Sequence, residues 1–101
     1  MTRSKEFEKA IEDLLNLYKI PFVRVSNYRC FKCGQVQNAK ASGFPDFFCV
    51  DPVFAIEAKT GTGRLTKEQK FVKECLEKNG IKYILLRDTV DELLEYLEEL
   101  E

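Results

Sequence analysis

The stretch GFPDFFCVDPVFAIEAK, residues 43–59, constrains the fold more than any other part of this chain. It contains two short apolar runs, residues 47–50 and 53–56, that are rich in β-branched and aromatic residues. The pair Asp51-Pro52, which favours a turn, separates the runs. Apolar runs of this length on either side of a turn pair predict the two strands of a β-hairpin.

The end of the second run carries the residues that suggest chemistry. Side chains alternate along a strand, so Glu57 and Lys59 should share one face while Ala58 takes the other. With the turn at 51–52, strand pairing returns Asp46 to a position beside both. Two carboxylates and an ammonium group then meet at one end of a sheet, which predicts a divalent-metal site with a lysine that positions the attacking base.

Hydrophobic periodicity predicts the elements on either side of the hairpin. An amphipathic helix spans residues 4–20 and ends at Pro21, and the alternation over residues 22–25 predicts a first strand. After the hairpin, Thr66 and Gln69 form a capping box that opens a second helix. The expected buried residues of that helix are Phe71, Val72, Cys75 and Leu76.

The last part of the chain predicts one more strand and one more helix. Residues 81–86 have an apolar centre, and Thr89 with Glu92 is expected to cap a helix whose apolar stripe is Val90, Leu93, Leu94, Leu97 and Leu100. The order α-β-(insertion)-β-β-α-β-α predicts an α/β fold, a mixed sheet flanked by helices in one domain over residues 1–101. Because a helix connects the last two strands, they should pair in parallel.

The formal net charge of −1 hides an uneven distribution of charge. Residues 15–44 contain five basic side chains and no acidic one, and residues 59–73 contain five basic side chains against one acidic one. Residues 88–101 contain seven acidic side chains and no basic one. Two basic segments around an acidic hairpin suggest that a polyanion is guided onto a carboxylate site, which needs a cation before it can accept phosphate.

The absence of histidine excludes several classes of enzyme. Mechanisms that use imidazole as general base, nucleophile or ligand are ruled out, including Ser-His and Cys-His catalysis. Catalysis would have to rely on carboxylates, lysines, thiols or a hard metal ion.

Residues 26–42 form a polar, basic and aromatic insertion that contains the motif Cys30-Phe-Lys-Cys33. Tetrahedral zinc requires four ligands, so one such pair leaves three interpretations open: a zinc site completed by a second subunit, a local disulfide, or two free thiols. The remaining cysteines, Cys49 in a predicted strand and Cys75 in a predicted helix, are expected to be small core residues.

The ordered motifs resemble those of the PD-(D/E)xK nuclease superfamily, and especially its small stand-alone VRR-NUC branch of phages and bacteria. The family pattern begins with an Arg on a strand, which Arg24 matches, and continues with G-x-P-D, which Gly43 to Asp46 match. It then has I-E-x-K, matched by Ile56 to Lys59, and G-R-L-[ST]-x-E-Q, matched by Gly63 to Gln69. It ends with a final strand and helix. The sequence is also similar to archaeal Holliday-junction resolvases, which share the fold. The resemblance covers most of the chain except the insertion, and it implies a restriction-endonuclease-like sheet.

The resemblance also implies a set of active-site roles. Mg²⁺ or Mn²⁺ would be held by Asp46, Glu57 and the carbonyl group of Ala58, together with Glu8. Glu8 corresponds to a glutamate that the family supplies from its first helix, and Glu6 and Glu12 compete for this assignment. Lys59 would orient the attacking water, and Gln69 corresponds to a glutamine of the family, although the capping box explains it equally well. Hydrolysis would leave a 5′-phosphate and a 3′-hydroxyl.

The expected partner is DNA, with branched DNA such as a Holliday junction favoured because nothing resembles a helix that reads base edges. The residues expected to contact its backbone are Arg24, Arg29, Lys32, Lys40, Arg64 and Lys67. The family also suggests a homodimer. Without a signal peptide or an apolar run of membrane-spanning length, an intracellular, cytoplasmic protein is expected.

Three other functions compete with this prediction. One is a non-catalytic nucleic-acid-binding module in which the cysteine pair binds zinc. Another is a nuclease of the same fold that acts on a different DNA target, by nicking, flap or end processing. A structural subunit that dimerises through its last helix is a third alternative.

Overall fold

The predicted hairpin lies at the centre of a four-stranded mixed sheet. The computed structural model of the chain describes residues 3–25, 28–29, 36–37 and 43–100. Its strands are β1 (Phe22–Arg24), β2 (Tyr28–Arg29), β3 (Val36–Gln37), β4 (Phe47–Val50), β5 (Val53–Lys59) and β6 (Lys82–Arg87). The sheet has the order β1-β4-β5-β6, while β2 and β3 pair separately. The coarse prediction of an α/β fold with a mixed sheet is therefore confirmed.

Strand pairing follows the predicted directions. β4 and β5 are antiparallel, and Val50 pairs with Val53 across the turn at Asp51-Pro52, whose peptide bond is cis. β5 and β6 are parallel, as the helix between them requires. β5 therefore has an antiparallel neighbour on one side and a parallel neighbour on the other.

The main core lies between one face of the sheet and two helices, α1 (Arg3–Leu17) and α3 (Asp91–Glu99). Its fully buried members include Ile11 and Leu15 of α1, Ile56 of β5 and Leu93 of α3. The stripe predicted for the last helix supplies Leu93 and Leu97 to this core, but Leu100 is exposed.

On the opposite face of the sheet, α2 (Lys67–Lys78) packs against β5 and β6. Glu57 and Tyr83 alternate with core residues of their strands, and both meet side chains of α2: Gln69 contacts Glu57, and the Lys73 ammonium lies 6.0 Å from the centre of the Tyr83 ring. Val72 is the buried residue of α2, and Leu76 is half-buried. The prediction that Phe71 and Cys75 are buried is wrong, since both are exposed.

The ends of α1 and α3 differ from the predicted ends for local reasons. α1 stops at Leu17, before Pro21, because Lys19 takes a left-handed conformation with φ of 58°. The Ile20 amide then donates to Leu15 and the Lys19 amide to Asn16, the two bonds of a Schellman motif. α3 begins at Asp91 without the predicted capping box, because the Thr89 hydroxyl accepts the Asp91 amide two residues away.

The capping box of α2 is confirmed. The Thr66 hydroxyl accepts the Gln69 amide at 3.1 Å, and the Gln69 side chain accepts the Thr66 amide at 2.8 Å. The helix ends with Asn79 as its C-cap, followed by Gly80 with φ of 78°.

The insertion contains a short antiparallel pairing that the sequence did not predict, with Tyr28 opposite Gln37 and Arg29 opposite Val36. Cys30, Cys33, Lys32 and Lys40 lie outside the described residues, so the alternatives for the cysteine pair stay as predicted from the sequence. Of the helices described, none is long and apolar enough to cross a membrane.

Candidate active site

Asp46 lies immediately before β4 and joins three strands at one end of the sheet. Its Oδ2 accepts a hydrogen bond of 2.9 Å from the Ala58 amide of β5. Its backbone carbonyl accepts a bond of 2.9 Å from the Val25 amide, just after β1. These bonds fix the carboxylate against the last residues of β5, as the hairpin pairing predicted.

Glu57 is a buried carboxylate, only 2% exposed, in the middle of this end of the sheet. Its Oε2 lies 3.7 Å from the Lys59 ammonium and 3.3 Å from the Gln69 side-chain amide nitrogen. A buried carboxylate is tolerated when a cation and hydrogen-bond donors compensate its charge. The structure therefore brings Asp46, Glu57 and Lys59 together as predicted.

Ala58 offers a backbone oxygen to the same place. The amide and carbonyl groups of one strand residue point to the same side of the strand. Because the Ala58 amide donates to Asp46, its carbonyl also points toward the Asp46 side of β5. Asp46 and the carbonyl group of Ala58, which follows Glu57 in the chain, thus lie on the same side of β5, and all three residues carry hard oxygen atoms.

Gln69 has two functions that the sequence had presented as alternatives. Its oxygen accepts the Thr66 amide and completes the cap of α2, while its nitrogen donates to Glu57. The same side chain therefore fixes the beginning of α2 and links that helix to the carboxylates.

Glu8 occupies a different environment from the one expected. It forms an ion pair with Arg24 of β1, and Arg24 also reaches Glu12 at 3.0 Å and lies 5.6 Å from the centre of the Phe47 ring. Among the residues that the structure describes, no three Cys, Asp or Glu side chains are grouped so that they could hold a metal ion. Glu8 thus does not join Asp46 and Glu57 in such a group, because the Arg24 guanidinium attracts it to β1.

Arg24, whose contact with a DNA backbone stays a prediction, has a side chain that is 43% exposed. Its guanidinium is compensated by two carboxylates of α1, so in this structure it joins the first strand to the first helix. Arg64 and Lys67 are exposed beside the site, where a polyanion can reach them. For Arg29 the structure describes the backbone in β2 but not the side chain.

Two residues that the sequence analysis missed lie at the end of β6, beside the loop of residues 60–66. Both oxygens of the Asp88 side chain accept the Gly61 amide, at 3.1 and 3.0 Å. The Arg87 guanidinium donates to the Gly61 carbonyl at 3.0 Å. Only the parallel register, which pairs Lys59 with Arg87, could have indicated this contact beforehand.

Tyr83 is a buried phenol on the same face of the sheet as Glu57. Burial, followed by the charges of Glu57, Asp46 and Glu77, raises the pKa of its hydroxyl far above the usual range. Within the described part of the chain, that hydroxyl has no hydrogen-bond partner. The phenol therefore stays neutral, and the negative charges of both carboxylates of the site contribute to its raised pKa.

Comparison with protein-family models, with curated proteins and with solved structures finds no significant match for this chain. Any functional conclusion has to come from the site itself.

Proposed function

We propose that this protein is a metal-dependent nuclease that hydrolyses phosphodiester bonds in DNA. The observation that supports this most is the meeting of Asp46, Glu57 and Lys59 at one end of the sheet, with the Lys59 ammonium 3.7 Å from Glu57. A surface ion pair would not need a carboxylate that is 2% exposed. Burying a charged group costs free energy unless the charge is paired and hydrogen-bonded. Buried charged groups are therefore uncommon, and they are found preferentially at functional sites.

The chemistry of the donors fits a small divalent cation. Mg²⁺ usually keeps several water ligands and is held by one or two carboxylates together with substrate phosphates. Asp46 and Glu57 with the Ala58 carbonyl would therefore suffice, and Mn²⁺ accepts the same oxygen ligands. Glu8 is not required for this set. When bound, the ion would act as a Lewis acid that activates water and neutralises charge on the phosphate.

The residues of the chain have separate tasks in this reaction. Lys59 would hold the attacking water in line with the scissile bond and stabilise negative charge that develops on the phosphate. Glu57 would keep the lysine in place through their ion pair, and Gln69 would keep Glu57 in one orientation through its amide. Asp46, fixed by the Ala58 amide, would complete the set from the adjacent strand.

The charge distribution supports a nucleic acid as the substrate. Residues 59–73 carry five basic side chains against one acidic one, and they begin at Lys59 itself. Exposed Arg64 and Lys67 would contact phosphates, which positions a duplex without reading its sequence. Recognition of DNA shape, as in branched DNA, belongs to this proposal because phosphate contacts carry no sequence information.

The arrangement of elements supports the family proposal in the same indirect way. A mixed sheet in which a hairpin is followed by a helix and a parallel strand suits the restriction-endonuclease-like fold of PD-(D/E)xK nucleases, and of the VRR-NUC-like branch in particular. A homodimer that cuts both strands of a junction belongs to this proposal.

The test uses labelled four-way junction, flap, single-stranded, linear duplex and RNA substrates with Mg²⁺ or Mn²⁺. Wild type should cut at least one DNA substrate, and Asp46→Asn, which removes a metal ligand but keeps the size of the side chain, should abolish cutting. Asp51→Asn is the matched control, because Asp51 is exposed in the turn at the other end of the hairpin. If wild type binds DNA but cuts nothing with either metal, the proposal is wrong and a binding module becomes the better description.

A further inference from the structure

The loop of residues 60–66 connects Lys59 to α2, and the end of β6 holds it at several points. Gly61, with φ of 60°, donates its amide to the Asp88 carboxylate and accepts the Arg87 guanidinium at its carbonyl. The backbone amide of Asp88 donates to the Lys59 carbonyl at 3.1 Å. Arg87 and Asp88 thus bind the amide and the carbonyl group of Gly61 and the carbonyl group of Lys59, the residue before the loop.

The loop also passes near the side chain of Lys59. Gly63 donates its amide to the Thr60 carbonyl, which closes a tight turn. A Cβ atom at Gly63 would lie 3.6 Å from Cδ of Lys59, so the glycine backbone passes close to the aliphatic part of this side chain. The Lys59 side chain therefore has Glu57 beside its ammonium group and the backbone of Gly63 near its Cδ atom.

We propose that Arg87 and Asp88 are positioning residues that hold the loop of residues 60–66 against Lys59 and so keep its ammonium at Glu57. This inference rests on the proposed nuclease function and deepens it. The carboxylate of Asp88 is suited to the task because a hydrogen bond to a charged acceptor is about twice as strong as a neutral one. Its two oxygens share one amide, so the loop stays bound when the side chain rotates slightly.

The conformation of Asp88 allows the hydrogen bonds to be tested apart from the backbone. Asp88 has φ of 60°, a left-handed conformation that glycine and asparagine adopt readily. Asp88→Gly keeps this conformation and removes the acceptor, while Asp88→Asn keeps one neutral oxygen. Loss of function in Asp88→Gly therefore reports on the carboxylate and not on backbone strain.

The experiment measures single-turnover cleavage of saturating DNA, the Kd for DNA in Ca²⁺, and the NMR resonances of the Lys59 ammonium. In Asp88→Gly we expect cleavage to slow on the order of tenfold to a hundredfold with an unchanged Kd, because small displacements of a catalytic group reduce rates by such factors. Asp88→Asn should be intermediate. The Lys59 resonances should move toward those of exposed lysines, and Asp51→Asn should match wild type throughout.

Three results would overturn the inference. One is a wild-type rate in Asp88→Gly. Another is a weaker Kd with an unchanged rate at saturation, which would make the loop a binding element only. The third is an unchanged Lys59 resonance. If wild type itself cuts no substrate, the proposed function fails, and the Lys59 resonance in Asp88→Gly still decides whether the loop positions the lysine.

Discussion

Gly43 gives the most demanding test of how the site is assembled. It has φ of 86°, and a Cβ atom there would stand 2.4 Å from the carbonyl carbon and oxygen of Glu68 and 2.9 Å from the amide nitrogen of Gln69. These are backbone atoms in the first turn of α2, so they cannot rotate away. The segment that leads into Asp46 can lie against the helix that carries Gln69 only because residue 43 has no side chain.

The effect of Gly43→Ala has two parts. An alanine in the left-handed region is less favourable by about 1–2 kcal/mol. The overlap with α2 adds about 1–3 kcal/mol, the usual range for forcing an extra methyl group into a packed contact. The free energy of unfolding should therefore fall by about 2–5 kcal/mol, and Tm by roughly 8–40 °C for a domain of this size.

Gly80→Ala is the matched control. Gly80 has φ of 78°, and a Cβ atom there would meet nothing within 4 Å. It should therefore show only the backbone part, about 1–2 kcal/mol. Both variants would be compared by urea unfolding followed by circular dichroism, with DNA cleavage below Tm as a second measurement. Equal losses of stability in the two variants would show that the contact between residue 43 and α2 does not exist.

Three further predictions concern single side chains. Gln69→Ala should lower the free energy of unfolding by about 1–2 kcal/mol, because it removes a capping bond and a bond to the site, and it should also slow cleavage; wild-type stability in urea would contradict the double role. Burial raises the pKa of the Cys49 thiol to about 12, while Cys75 is exposed. Iodoacetamide at neutral pH should therefore modify Cys75 and leave Cys49 unmodified, which peptide mass spectrometry can determine. Equal modification of the two cysteines would contradict the burial of Cys49. The folded protein holds the Tyr83 proton more tightly than the unfolded chain, whose tyrosines titrate near about 10, so stability should fall as the pH rises above about 10. Tyr83→Phe should lose less stability than wild type in urea unfolding across this pH range, and identical slopes for the two proteins would contradict the effect.

The sequence predicted those parts of the site that depend on contacts near in the chain. The hairpin, the return of Asp46 to the end of β5 and the capping box of Thr66 and Gln69 all follow from side-chain alternation and turn chemistry. Each joins residues that are at most 12 positions apart. Local patterns are informative over such distances, since few alternative arrangements compete with them.

The parts that were missed depend on tertiary contacts or on backbone conformations of residues that usually avoid them. The family pattern assigns Glu8 to the metal site, which stays a prediction, but it did not indicate the ion pair that Glu8 forms with Arg24 of the neighbouring strand. Lys19 ends α1 in a left-handed conformation that no sequence rule assigns to lysine. Periodicity marked Phe71 as buried because it shows which residues share an apolar stripe but not how much of the stripe is covered, and Phe71 is 66% exposed.

The side chains of the site come from one contiguous part of the chain, from Asp46 to Gln69. The bond from Ala58 to Asp46 spans 12 positions, and the bond from Gln69 to Glu57 also spans 12. Contacts of such short span form early in folding, since the entropy of closing the intervening loop is small. The bond between Gly61 and Asp88 spans 27 positions and needs β6 in place. During folding, the two carboxylates should therefore meet in the hairpin before the last strand arrives to fix the lysine.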